Sequence, residues 1–279
     1  MDLYVDWSSL ARNAAYVGLS VLFILIAKLV ADLMTRYDDD LEVRERANGA
    51  LALRRAGMYL GLAIGLASSL SQPGVSFPSD LLAFAQDGAL LIAVLLIAQV
   101  VNEKVMLRGL RTHEAIRENN LAVGAVEFGQ FVATGLIFAG AILGEGNHRS
   151  SILFAVLGQV GLLLAFELYG RFARWNVRAE IGGGNVAAGV LLGGRLLALG
   201  VIVNNSVAGD SSTLAKDLLS FGVYYVYGLI LLAGVTWLAD LVFLPKARLH
   251  EMIEKRNVPA VALLSAITLA VAIVVWASS

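Results

Sequence analysis

Apolar positions run in long, nearly unbroken tracts separated by short polar connections, approximately at Ala14–Thr35, Ala50–Leu70, Gly88–Met106, Leu121–Leu143, Ile152–Gly170, Val186–Val207, Phe221–Leu244 and Val258–Trp276. Each has the length of a membrane span, for which a helix needs roughly 20 mostly apolar residues. A barrel would show short alternating segments instead, and lipid offers no water to exposed backbone groups, so helices are expected. The predicted fold class is an all-α membrane protein with eight transmembrane helices. Residues 1–13 carry Asp2 and Asp6 and no basic cluster, so the first tract is expected to be retained as a span rather than cleaved as a signal peptide.

A second pattern lies over the first. Asn48, Asn120, Asn185 and Asn257 each stand at the start of an even-numbered tract. The step from Asn48 to Asn120 equals the step from Asn185 to Asn257, and Asn48 to Asn185 equals Asn120 to Asn257, an offset of 137 positions. The chain therefore reads as two similar four-helix halves, residues 1–140 and 141–279, each made of two hairpin units. Because every unit has two spans, successive units point the same way, unlike the inverted repeats of many secondary transporters. A pseudo-twofold axis along the membrane normal is the expected relation between the halves.

Composition agrees: 58% of residues are hydrophobic and only 15% charged, against about 25% charged in soluble domains. Of the 21 Lys and Arg, sixteen flank the Asn loops: Arg36, Arg44, Arg46, Arg54, Arg55, Lys104, Arg108, Arg111, Arg117, Arg171, Arg174, Arg178, Lys246, Arg248, Lys255 and Arg256. Arg12, Arg149 and Lys216 serve the opposite loops. The positive-inside rule therefore puts the Asn loops in the cytoplasm and both termini outside, with Trp7 and Trp276 as aromatic anchors. A net charge of −1 gives no case for a nucleic-acid partner, and the absence of Cys removes disulfides, thiol catalysis and cysteine-ligated metals.

The run Ile116-Arg117-Glu118-Asn119-Asn120-Leu121-Ala122-Val123-Gly124, with Gly129 following, resembles the signature of the YjfL-like inner-membrane proteins (domain of unknown function 350). Asn185-Val186-Ala187-Ala188-Gly189 with Gly194 resembles a second copy, and the pattern is read four times along the chain. The fourth copy departs from it, with Pro259 and Ala266 in place of the small residue and the glycine. The resemblance implies a helical protein of the bacterial inner membrane without an established activity, sometimes discussed with envelope-stress and polyamine-related neighbours.

The asparagines suit helix N-caps, each side-chain oxygen accepting from a free first-turn N–H; a ring of amides at a pore mouth is the alternative. Nine and thirteen residues after each Asn stand small residues: Gly57 and Gly61, Gly129 and Ala133, Gly194 and Ala198, Ala266 and Ala270. Such faces let helix backbones approach closely in lipid, so the even spans are expected to form a tightly packed inner layer.

Charges within the spans are the candidate site residues, since placing one in hydrocarbon costs about 2.5–3.5 kcal/mol. Asp32, Glu103, Glu167 and Asp240 recur at nearly one level, 16 to 18 residues before each Asn, and read either as interfacial partners of Arg36 and Arg171 or as a cation-selecting ring. Lys28, Glu127 and Arg195 lie deeper, and the equivalent positions in the other half, Ala165, Leu264 and Met58, are uncharged. Arg195 is expected to pair with Glu127 or Glu167, and Lys28 with Asp32 or Glu127. Arg111-Thr112-His113-Glu114 and Arg248-Leu249-His250-Glu251, in register, suggest short surface helices; one His and one Glu per loop do not make a metal site.

No HExxH, GxSxG or phosphate-cradling loop is present, so no enzyme, cofactor or metal is expected. Two functions are carried forward. The first is a channel-like passage for ions or small solutes at the junction of the two halves. The second is a scaffold or envelope-stress sensor recruiting a peripheral cytoplasmic protein, with self-association left open for either.

Overall fold

The computed structural model of the chain describes residues 6–35, 37–71, 76–143, 148–173, 175–208, 213–243 and 249–278. Among them it contains twelve helices and no strand. Eight are long and apolar enough to span a membrane. The outer ones are α1 (Trp7–Met34), α4 (Phe77–Val105), α7 (His148–Phe172) and α10 (Leu214–Phe243). The inner ones are α3 (Gly49–Ser69), α6 (Leu121–Leu143), α9 (Val186–Val207) and α12 (Val258–Ala277). Four short helices precede the inner ones: α2 (Asp39–Arg44), α5 (Thr112–Arg117), α8 (Val177–Gly182) and α11 (Leu249–Glu254). The unit is therefore long helix, short helix, long helix.

The outer helices run longer than the apolar tracts predict. α4 begins at Phe77 rather than near Gly88, because Ser76 and Ser79 cap its start reciprocally and carry the helix through Asp80 and Asp87. At 29 and 30 residues, α4 and α10 reach about 45 Å at 1.5 Å per residue. They must tilt or project beyond the hydrocarbon.

The inner helices stand in a row, α3 against α6, α6 against α9 and α9 against α12. Their contacts repeat the same register. The small residue nine after each Asn meets the residue eight after the next: Gly57 on Phe128, Gly129 on Gly193 and Gly194 on Ser265. Gly124 likewise meets Ala50, and Gly189 meets Ala122. Farther along, Gly135 meets Gly61, and Gly200 meets Ala133. A Cβ on Gly129 would lie 2.6 Å from the Gly193 Cα, and one on Gly135 the same distance from the Gly61 Cα. These helices touch backbone to backbone, the contact that dispersion makes favourable in lipid.

Identical offsets at successive contacts mean that each unit meets the next head to tail, a heterologous stacking. The expected pseudo-twofold axis is therefore corrected: a twofold contact would pair a surface with itself, whereas here the forward face of one unit meets the backward face of the next. The small residues expected to pack do so up to Ala198, which is fully buried, while Ala266 and Ala270 lie on the exposed face of α12 at the end of the row.

A polar clasp accompanies each step. The residue before each Asn is left-handed, Ala47 at φ 50°, Asn119 at 60°, Gly184 at 73° and Arg256 at 51°, which ends the short helix and turns the chain into the next. The Asn oxygen then caps its own long helix, accepting from Leu51 N–H at 2.9 Å, Val123 at 3.2 Å, Ala188 at 3.4 Å and Ala260 at 3.2 Å. Its amide reaches forward to the next unit. Asn48 Nδ2 donates to Ile116 O at 2.9 Å, Asn120 to Ile181 O at 3.0 Å and Asn185 to Ile253 O at 2.8 Å. At the opposite end Asn204 joins three inner helices, donating to Leu136 O at 2.7 Å and accepting from Trp276 Nε1 at 2.9 Å.

Two sets of stability measurements in detergent follow. Gly129→Val, forced against the Gly193 backbone, should lower the melting temperature by roughly 5–10 °C, whereas Gly18→Ala, with open space around it, should leave it unchanged or slightly raised. Asn185→Ala should cost about 1 kcal/mol more than Asn257→Ala, because the first loses a cap, the clasp to Ile253 and a hydrogen bond to Glu180, and the second a cap alone; equal losses would mean the amide's hydrogen bonds contribute nothing.

Candidate functional site

The densest buried charge lies in the first half, where α1, α2 and α3 meet α4 and α6. Arg54 and Arg55 are adjacent on α3, so their side chains leave the helix about 100° apart and serve two separate clusters. Arg54, about 9 Å along the helix from Asn48, is almost fully buried, with only 1% of its side chain exposed. Its Nη2 lies 2.8 Å from Glu103 Oε1 on α4, and its Nε lies 3.1 Å from Glu127 Oε2 on α6. Glu103 also accepts from Gln99 Nε2 at 2.8 Å and faces His113 Nε2 of α5 at 3.5 Å. A connected line of polar groups thus runs from the exposed His113 to the buried Glu127. Asn102 and Gln130 line, with Glu103 and Glu127, a recess of about 10 Å³, the size of one water.

Arg55 turns the other way. It donates through Nε to Asp39 Oδ2 at 2.6 Å and lies 3.3 Å from Asp32 Oδ1. Asp32 in turn lies 3.0 Å from Lys28, which also reaches Asp40 at 3.1 Å. Burial pushes the Asp39 carboxyl above the usual aspartate range, against the lowering pull of Arg55.

These placements revise several sequence expectations. Lys28 does meet Asp32. Arg195 meets neither Glu127 nor Glu167; its guanidinium lies over the Tyr169 ring, 4.1 Å from the centroid. Glu127 belongs to Arg54. Glu167 pairs with Arg178 of α8, not Arg171, and Arg178 also donates to Met106 O at 2.7 Å and Val105 O at 3.1 Å, closing the end of α4. The acids at one level therefore face separate arginines rather than a common lumen: Asp32 takes Arg55, Glu103 takes Arg54 and Glu167 takes Arg178. The side chain of Asp240 lies outside the described residues, as do Arg36, Arg174, Lys246 and Arg248 and the side chains of His148 and Arg149. In the sequence Arg54, Arg55 and Arg178 read only as topology markers, because basic residues near a loop carry that signal by default.

The junction of the halves, where a passage was expected, is the α6–α9 contact. Gly129 and Gly193 fill it backbone to backbone, and Gly140 packs on Asn204 farther along.

Residues 5–142 and 145–279 each match the family described as Domain of Unknown Function (DUF350). The chain belongs to the DUF350 family. It is also similar to a UPF0719 transmembrane protein of Aquifex aeolicus (strain VF5), 23% identical over 266 residues that span 93% of this chain and 97% of that one. No solved structure matches it. Two family segments in one chain are consistent with a duplicated four-helix half.

This DUF350 chain has not kept its halves chemically alike. The second-half equivalents of Arg54 and Glu127 are Leu191 and Leu264, both fully buried. The buried Arg54–Glu127 pair of one half is replaced by two leucines in the other, while the place of Glu103 keeps an acid, Asp240. Breaking such a pair strands the survivor, which typically costs about 3–5 kcal/mol, whereas replacing both partners with apolar groups is often nearly neutral. Arg54→Leu or Glu127→Leu alone should therefore sharply reduce the yield of folded protein and its melting temperature, and the double variant should recover most of the loss. A double variant as unstable as the sum of the singles would show that the two side chains act apart.

Proposed function

We propose that this DUF350 chain is a non-enzymatic scaffold or sensor of the bacterial inner membrane, recruiting a peripheral partner on the side of the Asn tips, rather than a solute passage. The observation that carries this reading is the closed junction between the halves: Gly129 and Gly193 meet with no room for a methyl group. A path there would require separating helices whose contact holds the row together.

The tips supply the other support. Each of α5, α8 and α11 packs on the inner helix of the preceding unit as well as on its own, so the short helices form a continuous ledge. Its outward side chains include His113, Glu114 and Arg117 in one unit and Glu254, Lys255 and Arg256 in another. The polar line from His113 through Glu103 and Arg54 to Glu127 gives that ledge a route into the membrane interior, as a sensor needs. The cytoplasmic placement of the tips follows from charge. With Arg54, Arg55 and Arg178 set aside as internal partners, thirteen basic residues remain on that side against Arg12, Arg149 and Lys216.

The discriminating experiment is flux through reconstituted liposomes. Leakage of protons, potassium or a small organic cation should equal that of protein-free vesicles. Flux above that level, abolished in the Arg54→Leu/Glu127→Leu double variant, would establish a passage and overturn the scaffold reading.

A further inference from the structure

In the second half, the outer helices α7 and α10 diverge over α9 and leave a lateral crevice of about 610 Å³, within the range of small-ligand sites. Its walls are apolar and aromatic, with Phe166, Phe172, Leu199, Leu232 and Trp237 prominent among them. Among the described residues lining it, Arg195 is the one charged group. Among the described residues no carboxylate lies within ion-pairing distance of Arg195, and its guanidinium rests on the face of the Tyr169 ring. A ring face offsets part of the cost of a cation in lipid, not all of it.

The first half shows what is missing. There Arg55 is held by Asp32 and Asp39. The second-half equivalents of these two acids are Tyr169 and Asn176, and the first-half equivalent of Arg195 is the buried Met58. The second half has thus gained an arginine one turn along the helix and lost the two acids that hold Arg55, while Asp240, whose side chain lies outside the described residues, stands at the place of Glu103. An Arg beside an apolar crevice, with no carboxylate in reach among the described residues, is complementary to an anion that carries its own hydrocarbon.

Depth agrees with this. A helical side chain leans toward the helix N-terminus, which for α9 is the Asn185 end. Tyr169 lies three residues from the end of α7 at Phe172, and Trp237 six from the end of α10 at Phe243. The charged end of the crevice therefore sits toward the leaflet under the Asn tips, and the apolar walls extend inward from it.

We propose that the α7–α9–α10 crevice binds one anionic amphiphile from that leaflet, its phosphate or carboxylate on Arg195 and its acyl chain between α7 and α10. This is independent of the scaffold reading and stands or falls separately from it. The test is native mass spectrometry of the purified full-length protein titrated with dioleoyl phosphatidylglycerol, dioleoyl phosphatidylcholine, oleate or inorganic phosphate. One phosphatidylglycerol should be retained at least tenfold more tightly than phosphatidylcholine, with oleate competing and inorganic phosphate failing to compete. Arg195→Met, which installs the residue found in the first half, should abolish that preference. Ala233→Trp, which keeps the charge but fills the crevice, should lower retention of both lipids and remains informative if the first variant folds poorly. Equal retention of the two lipids by the wild type, a preference that survives both substitutions, or displacement by inorganic phosphate alone would each overturn the proposal.

Discussion

The structure depends on backbone-to-backbone contact between successive inner helices. In water, burying apolar side chains would hold such helices together, but in a bilayer the lipid tails are as apolar as leucine, and close dispersion contact must serve instead. Glycine permits that approach, and its positions here are paired across the steps: Gly57 against Phe128, Gly129 against Gly193, Gly194 against Ser265. Because the same offsets recur, each step fixes the next, and the four units form a row with distinct ends. One end is α3 and the other α12, and Ala266 and Ala270 on α12 occupy positions that face a neighbour in every earlier unit. The Asn clasps act on the same steps at the polar tips, where a side-chain amide can hold a carbonyl of the following unit.

On this shared frame the halves have diverged in charge. The first buries Arg54 with Glu103 and Glu127, and Arg55 with Asp32 and Asp39. The second has leucines at the places of Arg54 and Glu127, a tyrosine and an asparagine at the places of Asp32 and Asp39, Asp240 at the place of Glu103, and the additional Arg195. A buried charge in lipid must be compensated, and Arg54 and Glu127 are exchanged together for leucines. The first half therefore carries an internally paired network, and the second an arginine on the α7–α10 crevice beside the Tyr169 ring.

Much of this is legible in the sequence. Eight spans follow from tract length. The asparagines are recognisable as caps because capping chemistry is local and needs only the residues that follow. Their forward hydrogen bonds are not legible, since the acceptors are backbone carbonyls of Ile116, Ile181 and Ile253, which no side-chain pattern marks. Gly57, Gly61 and Gly129 stand out as one face of each helix, but the opposite face, with Gly124, Gly135, Gly189 and Gly193, needs the neighbouring helix to give it meaning. That is also why the sequence suggests a twofold relation where a head-to-tail one exists: an internal repeat states that two halves are alike and says nothing of which surfaces meet. Arg54 and Arg55 are ambiguous because a basic residue one turn inside a span looks the same whether it marks topology or neutralises Glu103 and Asp39. Arg195 is recognisable as embedded, but the partners expected for it, Glu127 and Glu167, pair with Arg54 and Arg178, and its guanidinium lies over the Tyr169 ring.

The row itself is best tested by distances between equivalent positions. The natural chain has no cysteine, so pairs introduced two residues before each Asn, at Arg46, Glu118, Gly183 and Lys255, can carry spin labels without background. With neighbouring helices roughly 8–10 Å apart, pulsed electron resonance should find the separation between positions 46 and 255 to be about three times a single step, with positions 118 and 183 at intermediate values. A 46-to-255 separation no longer than that between neighbours would mean that the units close into a ring, and the head-to-tail row would be wrong.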